Sequence, residues 1–383
     1  MASIKKKGER KFKITVSNGY RAGKKMAKAM TITVPQSVPK RGIQQYVAHE
    51  AEEFERQVKY GFSEDGEMTF EEYAEKWLSR QTKYAPSTIE SYRRMLQRVY
   101  PFIGSIKLNR LRPIALENML IELRKRTFRG KPIQETTVQK YLTTVSAVLA
   151  DAKRNEIIQR NPARMIDLPD TEQREQFIPS QEQAMHLIEE LKKEPAHFFA
   201  FYMMAMITGC RRGELCAMKW SDLTLKKKLQ YITIQNSRSS VAGLGVVEGK
   251  TKNGKTRVIA LDYNTTFNLI CYGLKKKSQA EERGEELNDY MFCDDNGKLV
   301  HPDTFTKHLR KIYDRLGFPK EFHLHTLRHF FVTTLLHNGV DKQTVAELAG
   351  HGDTSFLERT YCHPQMDKKI EAAKVMSTKL LVS

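Results

Sequence analysis

Four separated segments in the C-terminal half carry side chains suited to phosphodiester chemistry. The first, Thr208-Gly-Cys-Arg-Arg-Gly-Glu-Leu215, sets Arg211 between Gly209 and Gly213, where a tight turn would present it at a helix N-terminus, a place that favours anions. The second, Val246 to Leu261, is Lys-rich around Asn253-Gly254 and has the pattern of a hairpin that pushes one ammonium into a groove. In the third, His323-Leu-His-Thr-Leu-Arg-His-Phe-Phe-Val332, Arg328 lies three residues and His329 four residues after His325, so the three share one helical face. The fourth is Leu348-Ala-Gly-His351, with Tyr361 ten residues further on.

Each segment alone has an ordinary explanation. Two arginines can cap and solvate a turn, Lys250, Lys255 and Arg257 can simply touch a nucleic-acid backbone, and a late tyrosine is commonly a packing residue. A His pair at i, i+4 can bind zinc. Here, however, Thr326 stands where an HExxH site has its general-base Glu, and Arg328 inside the site would repel a cation. Together the residues have one coherent use, attack by a phenolate on a phosphodiester. Two guanidiniums bind the non-bridging oxygens and offset the charge of the transition state. A phenol of pKa about 10 needs a base to take its proton, and a 5′-alkoxide leaving group needs an acid. His and Lys supply both, so the scheme calls for no metal and no cofactor.

These groups sit on a chain of 383 residues, two to three typical domains long. Lys plus Arg total 64 against 45 for Asp plus Glu, a formal +19 that suits a polyanionic partner, nucleic acid first. A hydrophobic fraction of 40% excludes a disordered basic protein. The five cysteines are odd in number and contain no CxxC pair, which argues against a disulfide framework and a Cys-rich zinc site and favours a reducing compartment. No window approaches 18 consecutive apolar residues and no apolar leader opens the chain, so the expectation is a cytoplasmic protein without membrane attachment.

Charge and periodicity divide the chain into three. Residues 1–41 hold twelve Lys or Arg and one acidic residue, Glu9, a net +11. Within them Phe12, Ile14 and Val16 alternate with polar residues up to Asn18-Gly19, and Thr31 to Val34 alternate again, the pattern of short strands joined by tight turns. Tyr46, Val47, Ala51, Phe54 and Val58 then predict a closing helix over 43–60, with a joint at Ser63 to Gly66. From Met68 to about Arg160 the periodicity is helical, with a capping box at Ser87 and Glu90 and breaks at Pro101 and Pro113. Arg93, Arg94, Arg98, Arg110, Arg124, Lys125, Arg126 and Arg129 fit either a phosphate-facing surface or a solvated one. A linker around Asn161 to Pro179 leads to a third part, where a capping box at Ser180 and Gln183 opens an α+β pattern. Helices are predicted at 181–193, 197–208, 212–219, 263–278, 326–338 and 341–349, with strands near 230–236, 245–250 and 256–261. The expected domains are 1–62, 67–165 and 175–383.

The four segments resemble the signature boxes of the tyrosine recombinase, or phage integrase, family. The first box of that family reads roughly TGxRxxEL and aligns its catalytic arginine with Arg211 and its acidic position with Glu214. The hairpin lysine of the family lies eight residues before a Pro in the closing strand, here Ala260, which selects Lys252 over Lys250. The HxLRH box corresponds to His325, Arg328 and His329, the LGH box to Ala349-Gly350-His351, and the nucleophile to Tyr361. The resemblance implies a multidomain, mainly α protein: a small N-terminal β-sheet module, a helical SAM-like core-binding domain, and an α+β catalytic domain that with it clamps duplex DNA. It implies that Tyr361 forms a 3′-phosphotyrosyl bond and that Arg211 and Arg328 hold the scissile phosphate. Lys252 would protonate the 5′-oxygen, His325 would move the tyrosine proton, and His351 would hydrogen-bond the phosphate, with Glu214 and His329 orienting their neighbours. Neither ATP nor a divalent cation is implied. The implied partners are double-stranded attachment sites, three further copies of the chain in a tetramer, an excisionase and a host DNA-bending protein.

Residues 1–60 resemble the arm-binding module of integrases from phages and conjugative transposons, on charge and pattern alone. A Xer-like resolvase lacks that module, so the basic segment counts against this alternative. A binding-only regulator on the same fold would be expected to have lost the tyrosine or an arginine, and this chain has both. Ile370, Ala372, Ala373, Val375 and Met376 after the tyrosine fit packing on their own domain or on a neighbouring protomer equally well.

Overall fold

Alternation of apolar and basic residues builds the first sheet. Strands β1 (Ser3–Lys6), β2 (Lys11–Arg21) and β3 (Lys24–Thr33) are antiparallel in the order β1-β2-β3. Ile14 pairs with Ile4 and Met30, and the buried face of Ile14 and Val16 is covered by α1 (Ile43–Tyr60) through Ala51, Phe54 and Val58. The turn expected at Asn18-Gly19 is instead a bulge: β2 continues to Arg21, and its register against β3 shifts between Ser17 and Tyr20. The opposite face of the sheet exposes Lys5, Lys11 and Lys13 beside Thr31 and Thr33.

This is a computed structural model, which describes residues 2–21, 24–60, 67–128, 130–170, 177–227, 229–350, 354 and 357. The chain forms two compact units, Met1–Glu172 and Gln173–Ser383. In the first, the sheet module is followed by α2 (Phe70–Ser79), α3 (Pro86–Ile103), α4 (Pro113–Lys125), the two-residue strands β4 (Thr127–Phe128) and β5 (Lys131–Pro132), and α5 (Glu135–Arg154). Their apolar stripes, among them Phe70, Trp77, Leu96, Leu116 and Val145, close on a hydrophobic core of their own. Gln159 Nε2 donates to the carbonyl of Val58 at 2.8 Å, joining α1 to the end of this bundle.

Two local expectations are corrected here. Ser87 caps nothing, because Pro86 already occupies the first helical turn and Ala85 is the N-cap; a capping box forms instead at Thr69 and Glu72. Pro101 does not end its helix but lies in the last turn of α3. Arg124 is held by Glu135 through two bonds, Nε to Oε2 at 2.9 Å and Nη2 to Oε1 at 2.6 Å, while Arg93 and Arg94 pair with Glu75 and Glu90.

In the second unit Ser180 and Gln183 form the expected capping box at the head of α6 (Gln181–Leu191). Next come α7 (Ala196–Thr208) and α8 (Arg212–Cys216), then β6 (Leu223–Lys226), β7 (Leu229–Ile234), β8 (Asn236–Val241), β9 (Gly245–Lys250) and β10 (Arg257–Leu261). Helices α9 (Tyr263–Glu282), α10 (Pro302–Arg315), α11 (Leu324–His337) and α12 (Lys342–Ala349) complete the described elements. The sheets are β10-β7-β6 and β8-β9. Thus β9 and β10 do not form a hairpin with each other. Both pair with the continuous β7–β8 segment, and residues 251–256 loop out between them. Sequence periodicity missed α10, whose Phe305, Leu309, Ile312 and Tyr313 are buried in the unit's main core. Among the described residues no helix is long and apolar enough to cross a membrane.

Candidate active site

Helix α7 is apolar around most of its circumference and runs through the core, so its C-terminal end is fixed on several sides. It ends at Gly209, whose left-handed backbone (φ 61°) reverses the chain; a Cβ there would lie 2.2 Å from the Phe331 ring. The turn delivers Arg211 to the N-cap of α8 with extended backbone. Gly213 does not make this turn. It lies inside α8, where strand β8 approaches so closely that a Cβ would meet Ser237 Oγ at 2.4 Å.

Arg211 is held from three directions. Its backbone N–H donates to Glu214 Oε2 at 2.9 Å, its Nη1 to Glu214 Oε1 at 2.9 Å, and its Nη2 to the carbonyl of Gly350 at 2.9 Å. Glu214 is almost wholly buried and also accepts from Arg257 Nη2 at 2.7 Å. Gly350 ends α12 with φ 68°, and a Cβ on it would sit 2.8 Å from Arg257 Nη1 and 3.2 Å from Arg211 Nη1. Only a residue without a side chain lets both guanidiniums close on this turn.

Helix α11 brings the third segment to the same place. Arg328 is 3% exposed; its Nη1 donates to the carbonyl of Gly209 at 2.8 Å, two residues before Arg211. Its buried Nη2 has no hydrogen-bond partner among the described residues. One turn earlier His325 faces solvent, and its ring stands 4.8 Å from that of the buried His329 at 87°. Lys252 is exposed in the 251–256 loop, which is tightened by Thr251 Oγ1 donating to the carbonyl of Lys255 at 2.9 Å and by Gly254 N donating to Thr251 O at 2.8 Å. Next to it, Asn253 Nδ2 reaches the carbonyl of Gly350 at 3.3 Å, so the loop abuts the same turn as Arg211.

The structure therefore brings Arg211, Glu214, Arg328, His325 and His329 together and sets the Lys252 loop beside them. His351 and Tyr361 lie outside the described residues. Arg257, taken from the sequence as one of several cations that touch a nucleic-acid backbone, is instead 8% exposed and bonded inside the protein. Its place in β10, whose residues alternate buried and exposed, was the available signal: Arg257, Ile259 and Leu261 share the inward face.

Residues 179–368 match the profile of the phage integrase family, and residues 69–124 that of the phage integrase N-terminal SAM-like domain. The chain belongs to the phage integrase family. As such it is a tyrosine recombinase, a DNA strand-exchange enzyme of the site-specific integrase type. A tyrosine recombinase of Thermosipho africanus is 24% identical over 305 residues, spanning 78% of this chain and 96% of that one. The ICEBs1 integrase of Bacillus subtilis is 29% identical over 256 residues, 63% of this chain and 65% of its own. The Tn1549 transposon integrase, solved in complex with circular-intermediate DNA, superposes with a TM-score of 0.68 at 15% identity over 80% of this chain and 99% of that one. The multidomain, mainly α architecture with an α+β second unit is the fold of that integrase.

The electrostatics of the recombinase site follow from burial and crowded cations. Burial alone would raise the Glu214 carboxyl, but the contacts with Arg257 and Arg211 outweigh it and hold the group below the usual carboxylate range. Desolvation pushes Arg328 down to about 10, with Arg211 acting in the same direction and Glu214 opposing. Desolvation first, then His329 and Arg328, holds His325 well below the ordinary imidazole value, and His329 is pushed down to about 4. Two adjacent guanidiniums, one with a buried Nη2 that has no partner among the described residues, make a receptor for an anion.

Proposed function

We propose that this recombinase cleaves and rejoins double-stranded attachment sites through a 3′-phosphotyrosyl intermediate, and so integrates and excises a mobile element. The observation that carries the reading is Arg328: a buried guanidinium tied to Gly209, its Nη2 without a partner among the described residues, beside an Arg211 locked on Glu214. A dedicated bond to Glu214 fixes Arg211 before substrate arrives, which suits stabilisation of charge that develops only in the transition state. In this scheme the Tyr361 oxygen bonds to phosphorus, the P–O5′ bond breaks, His325 takes the phenol proton and Lys252 gives one to the 5′-oxygen. Arg211, Arg328 and His351 bind the phosphate, while Glu214 and His329 orient their neighbours. Reversal of the same steps rejoins strands without loss of bond energy, so no ATP enters.

The proposed division of labour is an arm-type DNA module over 1–62, a core-binding domain over 67–165 and the catalytic domain over 175–383. Separate hydrophobic clusters around Ile14 and around Phe70 support the first boundary. The exposed Lys5, Lys11 and Lys13 supply a basic sheet face for DNA phosphates. The working form is a homotetramer on two DNA sites, with an excisionase and a host bending protein as accessory partners; a lambda integrase tetramer bound to a Holliday junction is a known relative in fold. The test is covalent trapping on duplex DNA in SDS: the wild type is trapped, and Arg328→Ala binds DNA but is not.

A further inference from the structure

Arg257 makes three side-chain contacts that reach three different parts of the second unit. Its Nε donates to the carbonyl of Leu348 at 2.9 Å, its Nη2 to Glu214 Oε2 at 2.7 Å, and the same Nη2 lies 3.4 Å from Cys210 Sγ. Leu348 is in the last turn of α12, three residues before His351; Glu214 is the carboxylate that grips Arg211; Cys210 precedes Arg211 directly. Arg257 itself starts β10, and the exposed loop carrying Lys252 ends at its N-terminal side.

We propose that Arg257 is a positioning residue for strand cleavage: one guanidinium couples the carboxylate that aims Arg211 to the end of the helix from which His351 emerges. The proposal deepens the function proposed above and rests on it. The reason for an arginine is geometric. Nε and Nη2 diverge on one rigid plane, so a single side chain satisfies the Leu348 carbonyl and the Glu214 carboxylate at once. An ammonium at this position keeps the charge that balances buried Glu214 but cannot hold both acceptors in that fixed relation. Gly350 adds a second constraint, because the Arg257 and Arg211 guanidiniums both come so close to it that a Cβ there would lie 2.8 Å from Arg257 Nη1 and 3.2 Å from Arg211 Nη1. A shift of Arg257 therefore moves Arg211, the Gly350 turn or both.

The experiment compares Arg257→Lys with wild type in single-turnover formation of SDS-stable adducts on a pool of duplexes with randomised core sequence. DNA affinity and thermal melting are measured in parallel. The expected result is a rate at least tenfold lower at saturating DNA, with affinity within about twofold. In an Arg211→Lys background the same change costs much less, because its effect passes through Arg211. A rate for Arg257→Lys within threefold of wild type overturns the proposal and leaves simple charge balance. Should Arg257→Lys melt below the assay temperature, Arg257→Ala with added methylguanidinium or methylammonium decides: rescue by the first alone supports positioning, and equal rescue overturns it. Arg211→Ala distinguishes the two levels, since undiminished adduct formation by that variant removes the underlying reading of the site itself.

Discussion

Arg211 Nη2 donates to the carbonyl of Gly350 at 2.9 Å, linking residues 139 positions apart in the chain. The bond joins the start of α8 to the end of α12, so two of the four chemical segments are held in mutual position. Each partner is constrained on its far side as well, Arg211 by Glu214 and Gly350 by its left-handed turn. Rigid placement of this kind is what allows donors to act on a transition state without reorganising during the reaction.

Gly350→Ala tests the linkage. An L-residue at φ 68° costs about 1–2 kcal/mol in backbone strain, and the new Cβ would displace two guanidiniums. The expected outcome is a melting temperature lower by a few degrees and adduct formation lower by more than tenfold. Unchanged adduct formation would separate Gly350 from the placement of Arg211.

The pH dependence of stability has a definite sign. His325 and His329 titrate below the ordinary imidazole value in the folded chain, so in the unfolded chain each binds a proton at a pH where the fold excludes it. Their contribution is complete above about pH 6.5 and is lost as pH falls toward the His329 value of about 4. The lowered Glu214 carboxyl adds a loss of the same sign at more acid pH. Melting temperatures measured between pH 8 and 4.5 should fall on the acid side, and His329→Asn should flatten that fall. A rise in melting temperature toward pH 5 would contradict the burial of His329.

Much of this site was legible in the residues before the fold was known, and the reasons differ from place to place. The α11 trio was legible because three- and four-residue spacing forces a shared face on any helix. Thr208 to Leu215 was legible in part: Gly209 makes the turn that presents Arg211, whereas Gly213 lies inside α8. Arg257 was not, because charge says nothing about burial when a strand has one face inward: the same cation touches solvent or a buried carboxylate according to pairing with β7. The supposed β9–β10 hairpin failed for a related reason, since a turn between two strands does not reveal which neighbour each one pairs with. Helix α10 was missed although its apolar spacing is regular, its Pro302 start resembling a loop when taken residue by residue.

Lys252 and Lys250 are close in sequence but differ in setting. Lys250 closes β9 opposite Asn236, whereas Lys252 stands in the loop that Asn253 ties to the Gly350 turn. Lys252→Ala should slow cleavage by about 10²–10⁴, the span of a lost general acid, and Lys250→Ala much less. The reverse order would move the acid to the end of β9.

The basic face of the first sheet should act through phosphates alone. Replacing Lys5, Lys11 and Lys13 together by Gln removes three exposed cations from one face and should reduce the slope of log K against log salt by about 2–3. Cleavage at a core site should be spared. An unaltered slope would refute a DNA-binding role for this sheet.

In the proposed reaction Tyr361 attacks a DNA phosphate held by Arg211 and Arg328. This attack is tested most directly by incubating the protein with supercoiled plasmid carrying the randomised core pool in EDTA, stopping with SDS, and quantifying protein-linked DNA beside Tyr361→Phe. The expected result is adducts with the wild type and none with the variant, at nearly equal DNA affinity. Adducts that persist with Tyr361→Phe would contradict it.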